Sequence, residues 1–174
     1  MVRESLDILK NLTRSLGKFL LEETYLKSGV TKTLKGFYAS PSLAIILEYP
    51  PDLTKISLPT IALSYLTTEP KGAGTFGEHY IPESYNFNIY GFAGGNSSDR
   101  ENQLQRDGLI SDVKCLIENV NIDLYDWSTV STPVKIGTAW TPSARAENIS
   151  PSGSIKAERF KFLVSFQVVV LQEE

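Results

Sequence analysis

Residues 160–170 read Phe-Lys-Phe-Leu-Val-Ser-Phe-Gln-Val-Val-Val, and no other stretch of the chain restricts its fold as strongly. Phe160, Phe162, Val164, Phe166, Val168 and Val170 recur with the two-residue period of a β-strand and so occupy one face. On the opposite face Lys161, Ser165 and Gln167 are mixed with Leu163 and Val169. A face made of phenylalanine and valine has to be buried. A strand that is apolar on much of both faces belongs in the middle of a sheet or under a second subunit. A long C-terminal strand is therefore expected across residues 158–172.

Two segments carry helical periodicity instead. Near the N-terminus Leu9, Leu12, Leu16, Phe19 and Leu20 form one apolar face, within a helical region expected over 1–29 that Gly17 weakens and Gly29 stops. Such a face packs either on the chain's own sheet or on a neighbouring subunit. In the centre, Tyr85, Phe87 and Ile89 alternate with Asn86 and Asn88 as a strand, and Gly94-Gly95-Asn96 turns the chain. Ser98-Asp99-Arg100-Glu101 then has the spacing of a capping box, in which Ser98 and Glu101 each satisfy a backbone donor at a helix start. Asp99 and Glu101 also favour the positive end of the helix. Leu109, Val113, Leu116 and Ile117 continue the helical face, Asn119 is a stop, and a strand follows from Asn121 to Trp127. Residues 85–127 thus read as strand, helix, strand.

The remaining signals are shorter. Strand character is expected between Leu34 and Leu66, with an apolar run at Leu43 to Leu47 and an alternation of Ile61, Leu63 and Tyr65, separated by Pro50-Pro51. Pro59 has no backbone donor and fits an edge or the first position of its strand. Val134 to Trp140 reads as another short strand, and Thr141 to Gly153, broken by Pro142 and Pro151, as a loop. Residues 67–84 are rich in Gly and Pro with few aliphatic anchors, as expected of an exposed loop or hairpin-like arm. The whole implies an α+β fold in one domain, residues 1–174. A mixed or antiparallel sheet would carry an N-terminal helix and a central helix, with a long arm projecting from it.

Composition excludes several functions. At 41% hydrophobic and 21% charged residues the chain has the profile of a globular protein. A net charge of −3 and a pI near 5.3 provide no basic footprint for nucleic acid or an anionic membrane, so neither partner is expected. Cys115 is the only cysteine, which rules out an intrachain disulfide framework and points to a reducing compartment. Arg3, Glu4, Asp7 and Lys10 interrupt the N-terminus, so no signal peptide is expected there and the cytoplasm is the expected site of synthesis. Sequons at Asn11, Asn96 and Asn148 match a pattern short enough to arise by chance.

Gly72-Ala73-Gly74-Thr75-Phe76-Gly77 has the letters of a dinucleotide fingerprint, but Glu78-His79-Tyr80-Ile81-Pro82 follows where that motif requires a helix. His79 is the sole histidine, so any Ser-His-Asp or Cys-His arrangement would depend on a side chain in the glycine-rich arm. Cys115 lies near the apolar residues of the central helix and is expected to pack there as a small hydrophobe. Asp123 and Asp126 would point to opposite faces of a strand and are read as solvated charges, not as a metal or acid/base pair. Trp127 and Trp140 are core or sheet-face residues, or subunit contacts if the protein forms a ring. No catalytic residue, cofactor site or metal site is expected.

The stretch FNIYGFAGGNSSDRENQLQRDGLISDVKCLIENVNIDLYDW, followed by short strands and the long C-terminal strand, resembles the tail terminator proteins of long-tailed phages in element order. The resemblance covers roughly the C-terminal half and includes no diagnostic motif. It implies a non-enzymatic virion protein, made in the bacterial cytoplasm, that forms a hexameric ring with copies of itself. Such a ring would bind the tail tube protein to end polymerisation and present a surface to a head-completion or neck protein. On that reading the 67–84 arm meets a neighbour or the tube through Phe76, His79, Tyr80 and Ile81, and Trp127 and Trp140 lie at subunit contacts. The competing expectations are another phage connector or baseplate component, or a small cytoplasmic enzyme or ligand-binding domain.

Overall fold

The computed structural model describes residues 8–47, 51–52, 54–70, 83–128, 131–149 and 159–170, and only the backbone of residues 69, 70 and 83. The fold is α+β, a curled mixed sheet carrying an N-terminal and a central helix.

Helix α1 (Ile8–Glu22) buries Leu12, Leu16 and Leu20 on the face that the sequence periodicity marks. It ends at Glu22, short of Gly29. Strands β1 (Thr24–Lys27) and β2 (Val30–Thr33) form an antiparallel hairpin instead, turning at Ser28 and Gly29 with φ of 51° and 77°. Positive φ at both central residues is the two-residue turn whose twist suits a hairpin, so Gly29 serves a turn and not a helix stop. A one-turn helix α2 (Leu34–Phe37) follows, capped by the Thr33 hydroxyl, which accepts from Gly36 N at 3.1 Å. The first part of the expected strand region is thus helical.

Strand β3 (Ala44–Ile46) lies parallel to β4 (Thr60–Pro70), with Pro59 immediately before the strand, where its missing donor does no harm. Strand β5 (Glu83–Phe92) pairs antiparallel with β4 as far as Pro70 and Glu83, so both ends of the 67–84 arm are strand. Residues 71–82 of the arm lie outside the described residues. Helix α3 (Asp99–Ile117) starts as its capping box requires: Ser98 Oγ accepts from Glu101 N at 3.2 Å. The Glu101 carboxylate accepts from the Ser97 hydroxyl at 2.9 Å, which holds its pKa below the ordinary glutamate value. Asn119, at φ 54°, ends the segment in the left-handed conformation that asparagine tolerates.

Strands β6 (Val120–Asp126), β7 (Val134–Thr141), β8 (Ala144–Asn148) and β9 (Lys161–Val170) complete the chain. The expected loop from Thr141 therefore contains a strand. Its sequence, Ala-Arg-Ala-Glu-Asn, alternates as a strand does, but Ala144 and Ala146 are too small to give a strong apolar signal; both pack against the core. The seven-stranded sheet has the order β3-β4-β5-β9-β7-β6, with β8 also on β9. Strand β9 is central, as its two apolar faces require. Strand β5 pairs along one edge, while β8 covers Phe162–Phe166 and β7 covers Val169–Val170 on the other. Strands β5 and β6, joined through α3, are separated in the sheet by β9 and β7.

One cluster of buried side chains unites both helices with one face of the sheet, from Leu12, Leu16 and Val113 to Phe87, Phe162 and Val164. The other face of β5 and β9 carries Asn86, Asn88, Ser165 and Gln167. Asn86 Nδ2 donates to Thr67 Oγ1 at 2.9 Å and Gln167 Nε2 to Ser84 Oγ at 3.0 Å. The buried Asn88 Oδ1 has no hydrogen-bond partner among the described residues.

Candidate functional site

A buried carboxylate organises the end of the molecule where α1, α3 and the β1–β2 hairpin meet. Asp112 sits on the apolar face of α3, three residues after Leu109 and four before Leu116, and is buried. Its Oδ2 accepts from Tyr38 OH at 2.7 Å, Lys27 Nζ at 2.7 Å and Tyr25 OH at 2.9 Å. A carboxylate in this position would be costly alone, and the Lys27 charge together with two phenol donors offsets that cost. Gly108, one turn earlier on α3, leaves room for Tyr38: a Cβ there would stand 2.8 Å from the Tyr38 hydroxyl.

The electrostatics of the cluster decide what it can do. Burial first, and then hydrogen bonding to Asp112, push the Tyr25 and Tyr38 phenols well above the ordinary tyrosine range. Near neutral pH both are donors and neither is a base or nucleophile. Lys27 also lies 5.4 Å from the Tyr38 ring centroid and 5.8 Å from that of Phe37. The arrangement holds the hairpin onto α3.

Next to this cluster an open groove of about 370 Å³ runs between the end of α1, β1, the end of α3 and the beginning of β6. Phe19, Leu116 and Val120 supply its apolar side chains, and Glu23, Thr24, Tyr25, Cys115 and Asn121 the polar ones. Cys115 is exposed, contrary to the packing role expected from its helix. It lies three residues after the buried Asp112 and one before the buried Leu116, just past the edge of the buried face.

A second concavity, about 170 Å³, opens where Gly94-Gly95-Asn96 leads into α3. A glycine turn before a helix suits an anion, but the chain's own side chains occupy these donors. Gly94 N donates to Gln105 Oε1 at 2.9 Å and Asn96 N to Asn102 Oδ1 at 3.0 Å. Arg159, also at this cavity, pairs with Asp99 at 2.9 Å.

Of the residues singled out in the sequence, Phe76, His79, Tyr80 and Ile81 lie outside the described residues, as does the Gly72–Gly77 pattern. Trp127 is half-buried within the chain: its backbone N donates to Asn11 Oδ1 at 2.9 Å and its Nε1 to Ser15 Oγ at 3.2 Å. Tyr125 N donates to the same Ser15 hydroxyl at 3.0 Å, so two buried polar residues of α1 hold the end of β6. The side-chain oxygen of Asn11, in the first sequon, is engaged in this contact. Trp140 is 39% exposed, and its Nε1 donates to Asn119 Oδ1 at 3.2 Å. It pairs opposite Asn121 at the beginning of β6, whereas Trp127 follows that strand's far end, so the two tryptophans form no common site. Asp123 bridges to Lys135 at 2.6 Å in solvent and Asp126 Oδ1 accepts from Ser128 N at 2.9 Å, both as surface charges.

Asp112, Tyr25, Lys27 and Tyr38 were not singled out from the sequence. The signal for Asp112 was a charge at helical spacing between Leu109 and Leu116. Its partners, 74 to 87 residues away, gave none. Among the described residues no group of three or more His, Cys, Asp or Glu is placed to hold a metal, and no described helix is long and apolar enough to cross a membrane. No protein-family model matches the chain, and no characterised protein is significantly similar to it.

Proposed function

We propose that this chain is a non-enzymatic assembly protein that associates with further copies of itself. In its specific form it is a tail-terminator-like ring that closes on the end of a phage tail tube and offers its other side to a neck or head-completion protein. The observation that carries the reading is the display of large apolar side chains on hairpins outside the core. Leu26 is 70% and Val30 46% exposed on the β1–β2 hairpin, and Val134 is 66% and Ile136 48% exposed on the β6–β7 hairpin. Apolar side chains raised on hairpins are suited to subunit contacts. The order of strand, polar turn, helix on the sheet, short strands and long central strand supports the tail-terminator form of the reading, since the resemblance rests on that order.

Light scattering after size exclusion, with negative-stain images of the eluted species, tests the proposal. A six-subunit ring is the expected result. A monomer at every concentration would overturn self-assembly and turn attention to a small ligand in the groove beside Tyr25, whose volume lies within the roughly 300–1,000 Å³ of ligand sites.

A further inference from the structure

We draw no further inference here: the strongest candidate, the polar patch on the sheet face away from the helices where the buried Asn88 Oδ1 of β5 has no hydrogen-bond partner among the described residues, borders neither concavity described above, and nothing in the structure shows what donor covers it.

Discussion

The β1–β2 hairpin is tied to the body of the protein through a buried carboxylate, whereas the β6–β7 hairpin keeps its own ion pair, Asp123 with Lys135, in water. Both present exposed apolar residues, but the first is fixed through a buried charge and the second, at the end of β6, through neutral hydrogen bonds to buried Asn11 and Ser15. The end of β6 in the second hairpin is held by Asn11 and Ser15 of α1 through Tyr125 and Trp127, and of its two strands only Val134–Thr138 of β7 has no described neighbour besides its partner. The freedom to adjust to a partner is thus confined to the β7 strand of the second hairpin.

The sharpest way to break this contrast is Asp112→Ala. It removes the acceptor of three hydrogen bonds and leaves two phenols without their partner, so a loss of about 2–4 kcal/mol is expected from urea unfolding. Amide exchange should rise in residues 24–33 and stay unchanged in 134–138. Loss of protection at both hairpins would sink the distinction.

Alkaline pH attacks the same anchor. The Tyr25 and Tyr38 pKa values are raised in the folded state, so their contribution is fully present below the unfolded tyrosine value of about 10 and is lost as pH rises beyond it. The urea midpoint should fall as pH rises above about 10, and Tyr25→Phe/Tyr38→Phe should flatten that decline.

A smaller loss, about 1–2 kcal/mol, is expected for Ser15→Ala, which strands the Tyr125 N–H and the Trp127 indole at the end of β6. Asp123→Ala should change stability by less than about 0.5 kcal/mol, since its bridge to Lys135 is exposed. A larger change would mean that this ion pair also anchors the second hairpin.

What the sequence revealed follows the same division between local and distant causes. The central position of β9, the Ser98 cap and the Asn119 stop were legible because each depends on residues within a few positions of one another. The β1–β2 hairpin was concealed because Ser28-Gly29 follows a helical pattern and was absorbed into it. Strand β8 was concealed because alanine marks its buried side. Asp112 could be seen as a charge on an apolar helix face, but not the hairpin lysine and the two tyrosines that make it tolerable there. Trp127 was weighed as a possible subunit contact, and its binding to Asn11 and Ser15 depends on partners more than 100 residues away.

The placement of β9 also has a consequence in time. A ribosome finishes the β4–β5 pair at Phe92 and the β6–β7 pair at Thr141 before residues 161–170 emerge, yet the strand that joins them is the last of the described strands. Until Val170 is delivered, β5 has an unpaired inner edge, and the apolar face of α3 lacks the floor provided by Phe162 and Val164. Between Thr141 and the arrival of residues 161–170 the nascent protein therefore passes through a split sheet with sticky inner edges, the interval in which a chaperone would matter most and a premature stop would do most harm.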